Sequence, residues 1–159
     1  MNTREDLNIA GQLTLRKTTL DGQLVEEITV HNDITIAGRT LVAQLFNKDN
    51  AAINTSRVSK IQVGRSKTAF DPTQNAMVDK VGETPIKSIT SGEVVSDSSG
   101  RSRLLLRLIG ELGENDCNDA LQEAGLFTDD GKVMYNRVTF DTVTKSKQFK
   151  LTLIWEIMF

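Results

Sequence analysis

A mainly β fold, an antiparallel β-sandwich or flattened barrel with one short α-helix near residues 36–47, is predicted by three observations. Apolar and polar residues alternate in short runs, turn residues punctuate those runs, and only one segment changes to helical spacing. With a single helix available as a crossover, a succession of βαβ units is excluded. The strongest run is the last. Over residues 149–159, Phe149, Leu151, Leu153, Trp155, Ile157 and Phe159 point one way, and Lys150, Thr152 and Glu156 the other, with Ile154 and Met158 interrupting the polar side. That pattern predicts an interior strand with Trp155 packed in the core.

The other elements follow in chain order. Residues 9–19 and 23–31 read as a hairpin: Leu13 and Leu15 alternate with Gln12, Thr14 and Arg16, Leu24, Ile28 and Val30 share a face, and Asp21-Gly22 supplies the turn. His31-Asn32-Asp33 is expected to end the second strand. Between residues 35 and 47, Ile36, Leu41, Val42, Leu45 and Phe46 fall near helical spacing, with Gly38 weakening the first turn. Residues 51–57 are expected to be loop. Residues 58–64 alternate again, and residues 65–77, with Asp71-Pro72, predict a long surface loop anchored by Phe70. Short strands are expected at 85–90 and 93–96, broken by Ser91-Gly92, then a clear strand at 103–108. An acidic loop at 113–119, a strand at 120–127, a turn at Asp129-Asp130-Gly131, a strand at 133–140 and a charged connector at 141–147 complete the reading.

The 159 residues suit one domain, residues 1–159, with a flexible N-terminal arm at 1–8. Nineteen basic and twenty-one acidic residues leave a formal charge of -2, so no global field favours nucleic acid or an anionic membrane surface. No apolar run approaches the roughly 20 residues that span a bilayer, and residues 1–8 carry Arg4, Glu5 and Asp6 where a secretory signal would be apolar. A soluble product made in the cytoplasm is expected, with neither nucleic acid nor membrane as partner.

Reactive chemistry finds little material. His31 is the single histidine and Cys117 the single cysteine, so a triad or a zinc set has almost nothing to draw on. A histidine at a strand end is more often a polar edge residue than a base, and a lone cysteine more often an inert thiol than a nucleophile. The loop with Glu114, Asn115, Asp116, Asn118 and Asp119 offers oxygen donors but lacks the spacing, mid-loop glycine and distal glutamate of a calcium loop. Gly64-Arg65-Ser66-Lys67-Thr68 lacks the glycines of a phosphate loop. The expectation is a non-enzyme with no catalytic residue, cofactor or metal.

Five phrases, taken in order, carry a resemblance. They are Val30-His31-Asn32-Asp33-Ile34-Thr35 with Gly38 following, Ile61-Gln62-Val63-Gly64 with Thr68-Ala69 following, Glu123-Ala124-Gly125-Leu126-Phe127, residues 134–140 (MYNRVTF) and residues 151–157 (LTLIWEI). Together they resemble a family of small virion structural proteins of tailed bacteriophages, and in part the N-terminal attachment domain of phage tail-collar fibres. The resemblance implies a building block of the virion, in the tail, baseplate or neck, held by contacts with other virion proteins and with copies of itself. It offers no catalytic residues. The chain lacks a fibre's long shaft and receptor-binding tip, so attachment is expected rather than host recognition. A capsid decoration protein is the alternative, and a carbohydrate-binding β-sandwich a third reading that would need exposed aromatic rings. Irregularity and expected exposure make Arg4 in the arm, and Arg65, Lys67 and Phe70 in the long loop, the candidate assembly contacts.

Overall fold

The computed structural model describes residues 9–47 and 57–159. Within them nine strands and one helix follow in the order β1 (Ala10–Thr19), β2 (Leu24–Ile34), α1 (Ile36–Gln44), β3 (Val58–Gly64), β4 (Lys80–Pro85), β5 (Ser88–Ser96), β6 (Ser102–Leu112), β7 (Ala120–Thr128), β8 (Met134–Thr144) and β9 (Phe149–Met158). The expected arm at 1–8, with Arg4, and most of the expected loop at 51–57 lie outside the described residues.

The strands form one curled antiparallel sheet in the order β4-β3-β7-β8-β2-β1-β9-β6-β5. Its two halves are joined at a narrow corner, where β2 pairs with β8 only through Asp33 with Arg137 and Ile34 with Asn136. The edge strands β4 and β5 are consecutive in the chain, so one run of backbone passes from one edge of the sheet to the other. At the crossing, the Ile86 amide donates to Ser59 O at 2.8 Å and the Lys87 amide to Ile109 O at 2.7 Å. The Thr84 hydroxyl adds a bond to Glu111 O at 2.9 Å. The crossing brings the two halves face to face and encloses the core between them.

That core is made by the alternation seen in the sequence. Leu13, Leu15, Leu151, Leu153 and Trp155 from one half meet Ile61, Val63, Leu121 and Leu126 from the other, all essentially without solvent contact. Each such side chain contributes roughly 1.5–3 kcal/mol through removal of its apolar surface from water. β9 is interior, paired with β1 along its whole length and with β6 from Leu151 to Met158. Trp155 is fully buried, and its indole N–H donates to Asn32 Oδ1 at 2.8 Å.

The helix is seated by two small residues. Thr35 caps it, accepting from the Gly38 amide at 2.9 Å while its own hydroxyl donates to Met134 O at 2.5 Å. Gly38 lies so close to β8 that a Cβ there would overlap the Tyr135 carbonyl. The glycine that weakens the helix as a propensity is the one that lets it dock.

Five features depart from expectation. β2 runs through His31, Asn32 and Asp33 to Ile34, because Gly11 to Leu13 continue to pair with it. β8 continues to Thr144, since Ala120 and Leu121 extend its ladder into the expected connector. Ser91-Gly92 does not break a strand. β5 is continuous and accommodates a bulge there, with Gly92 at φ 98°. The helix stops at Gln44, and residues 45–47 form its closing turn. β4 was not expected at all, its Gly82, Pro85 and charged residues resembling loop.

Candidate functional site

The long loop over residues 65–79 is held by a buried ion pair. Glu123 in β7 and Arg137 in β8 meet at 2.7 Å with neither side chain exposed. Glu123 also accepts from the amides of Asp79 at 2.8 Å and Val78 at 3.3 Å. Arg137 Nη1 donates to Thr68 O at 2.8 Å and to Gln74 Oε1 at 3.4 Å. Farther along the loop, Pro72 O accepts the Ile36 amide at 2.8 Å, tying it to the start of α1. The loop has no regular secondary structure, yet its path is fixed by β7, β8 and α1.

Arg65, Lys67 and Phe70 are therefore brought together on one anchored loop. The Arg65 guanidinium meets Asp79 at 3.1 Å and Asp119 at 3.3 Å, and these carboxylates, Asp79 first, raise its pKa further. Lys67 meets Asp141 at 2.8 Å, and Phe70 is half-buried. Arg65 and Lys67 are half exposed and already engaged within the chain. Their first structural task is to lay the loop against neighbouring segments.

The acidic loop holds a cation of its own. Lys145 is 2% exposed, and its ammonium donates to Asn118 Oδ1 at 2.7 Å, Ser146 O at 3.2 Å and Glu114 O at 3.3 Å. Burial lowers the Lys145 pKa, opposed by the nearby Asp116, Cys117 and Glu114. Asp116 closes the loop from the other side by accepting the Gly113 amide at 2.8 Å. Among the described residues no group of three or more His, Cys, Asp or Glu is placed to hold a metal ion. Cys117 lies near Gly82 of β4, its thiol pushed up by burial and by Asp116. His31 is exposed on β2 opposite Gln12.

An apolar groove lies elsewhere, at the end of the curled sheet beside α1. A cavity of about 310 Å³ sits between the helix and the two halves of the sheet. Leu41, Val42 and Leu45 form the helix wall, Leu106 and Ile157 one sheet wall, and Val58, Leu126 and Tyr135 the other. Among the described residues Arg57 is the charged one in its lining, and that side chain is 75% exposed. Leu45, Ile89 and Phe159 line the cavity while remaining 62%, 60% and 36% exposed, so the space opens to solvent as a groove. Phe46, beside Leu45, is 91% exposed. The Tyr135 hydroxyl is buried without a hydrogen-bond partner, and burial raises its pKa against the opposing charge of Arg39.

Sequence reasoning missed both the groove and the ion pair. The groove draws on α1 and six strands and has no local signature. The ion pair did leave a trace, because Glu123 is the one charged residue of 120–128 and Arg137 the one charged residue of 134–140. Among the described residues no helix is long and apolar enough to cross a membrane. Comparison of the chain with protein-family models, with curated proteins and with solved structures gives no match.

Proposed function

We propose that this chain is a non-enzymatic structural component of a tailed bacteriophage virion, a tail, baseplate or neck protein of the fibre-attachment kind. The observation that carries the docking role is the apolar groove beside α1, with Leu45, Ile89 and Phe159 left open to water on a rigid frame. Contiguous exposed apolar surface on a small domain is the signature of a surface that another protein covers. The virion setting draws on the five phrases. Their residues hold the frame rigid: Asn32 receives Trp155, Thr35 and Gly38 seat the helix, and Glu123 and Arg137 fix the loop.

The sugar-binding reading loses support, because Trp155 and Tyr135, the side chains most suited to stacking on a sugar, are both in the core. Quantitative mass spectrometry of purified virions, with antibody labelling of the particles, tests the proposal. The chain should be present at a fixed copy number and label the tail or neck. Labelling over the shell would favour the decoration alternative, and absence from purified particles would remove the virion role.

A further inference from the structure

Among the described residues, the Tyr135 hydroxyl, Asn136 Nδ2 and Arg137 Nη2 are buried polar atoms without a hydrogen-bond partner. Of the three residues, Tyr135 alone lines the apolar groove. A buried hydroxyl left unpaired is a standing cost to the fold, and native chains keep few of them without a use.

A bulge sets this ring in the wall. In the β7–β8 ladder Leu126 pairs with Asn136 and Phe127 with Met134, which leaves Tyr135 as the extra residue of β8. Its carbonyl is taken by Thr35 at the start of α1, from the amide at 3.1 Å and the hydroxyl at 3.2 Å. The backbone is thereby fixed. The side chain, 4% exposed, stays in the groove wall with its O–H unspent.

The rest of the wall decides what can meet that hydroxyl. Leu41, Val42, Leu45, Leu106, Leu126 and Ile157 are aliphatic, and Arg57 already meets Asp129 at 3.6 Å. A charged group brought into this space would lose its hydration and find no free counter-charge in the described wall. A neutral acceptor on an apolar body fits. Because the mouth is open at Leu45, Ile89 and Phe159, the occupant need not be enclosed, and a chain lying across the mouth can present it.

We propose that the groove receives an apolar side chain of a partner protein together with a neutral carbonyl beside it, from the backbone or from an amide side chain, and that this carbonyl accepts the Tyr135 hydroxyl. The inference deepens the docking reading and rests on it for the occupant being a protein segment. It adds the occupant's chemistry and the hydrogen bond that selects it.

N-pentylacetamide carries that chemistry in a small soluble probe, an aliphatic chain with an amide carbonyl. Heptyl chloride keeps the apolar body without a strong acceptor, and heptanoate replaces the carbonyl with a charge. Binding of each to the full chain is read by NMR from the backbone amide shifts of Leu41, Val42 and Leu45. The amide probe should shift these signals saturably, and Leu45→Glu, at an exposed wall position, should weaken its binding about tenfold or more. Tyr135→Phe should weaken it about three- to tenfold, the worth of one hydrogen bond, and leave heptyl chloride binding unchanged. Heptanoate should bind the wild type more weakly than the amide does. Since Tyr135→Phe removes an unpaired hydroxyl, the isolated variant should melt at the same temperature as the wild type or higher.

No saturable binding of the amide probe overturns the inference, as does equal affinity for the wild type and Tyr135→Phe, indifference to Leu45→Glu, or tighter binding of heptanoate. A lower melting temperature for Tyr135→Phe also overturns it, because the hydroxyl would then already have a partner. A chain found in purified virions whose groove shows no dependence on Tyr135 overturns this inference alone. A Tyr135-dependent site on a chain absent from virions overturns the virion reading and leaves the site standing.

Discussion

Glu123 and Arg137 are charged and fully buried, and what they touch explains why they are buried. Desolvating both charges is offset only if the remaining hydrogen-bonding capacity is used. Here Glu123 accepts the Val78 and Asp79 amides and Arg137 donates to Thr68 O, with Arg137 Nη2 left buried without a partner, so the pair fixes a loop that has no ladder of its own. Arg137→Met should therefore cost about 3–5 kcal/mol, because it leaves the Glu123 carboxylate buried and unpaired. Adding Glu123→Gln removes that charge and keeps one acceptor oxygen, for the Asp79 amide but not for the Val78 amide as well, so the double variant should recover part of the single variant's loss. Urea unfolding compares them, and a loss below about 1 kcal/mol for Arg137→Met would mean that the pair is not buried as described. At this scale the sequence was partly legible. Trp155 was expected in the core and is there, whereas its partner Asn32 lies more than a hundred residues away along the chain, and nothing local points to it.

The elements divide by whether their signal was local. The β1–β2 hairpin and β9 were legible because period-2 alternation and an Asp-Gly turn are properties of the segment itself. β4 was not, because an edge strand with Gly82 and Pro85 is defined by what it pairs with, and Gly92 looked like a break because a bulge needs the neighbouring strand to reveal it. The β5–β6 hairpin gives a pH prediction. Asp97 in its turn is bonded to the Ser99 hydroxyl and to the Arg101 amide, and the Arg103 guanidinium adds a contact at 3.0 Å. These interactions, the Ser99 hydroxyl first, hold its pKa far below the ordinary carboxylate value. A carboxylate depressed on folding contributes support that is present above the unfolded value of about 3.9 and is lost as pH falls through the folded one. Amide protection at residues 97–103, exchange taken relative to the intrinsic rate at each pH, should therefore be unchanged from neutral pH to about 5 and fall in strong acid. Loss of protection already near neutrality would contradict the assignment. For β9, deletion of residues 157–159 removes the pairs of Ile157 with Gly11 and Leu106 and both bonds between Phe159 and Leu104. Thermal unfolding of that variant should lose its cooperative transition, while a normal transition would make those last residues dispensable.

As a whole molecule, the chain carries an open apolar groove at one end of its curled sheet, beside α1. The sheet halves, joined at the β2–β8 corner and by the passage from β4 to β5, form a frame on which the groove is carried. The fold class was legible because it depends on repeated local patterns. The groove was not, since its walls come from segments between Leu41 and Phe159 and it exists only after the sheet has curled. The groove as a docking surface inside an assembled particle is the centre of the functional account, and hydrogen exchange tests it directly by comparing the isolated chain with the chain in purified virions. Amides of α1 around Leu41 to Leu45, of β5 around Ile89 and of the Leu104–Phe159 pairing should exchange more slowly in the particle, with little change at the buried Trp155. Equal exchange at these positions in both states, with protection confined to other surfaces, would contradict it.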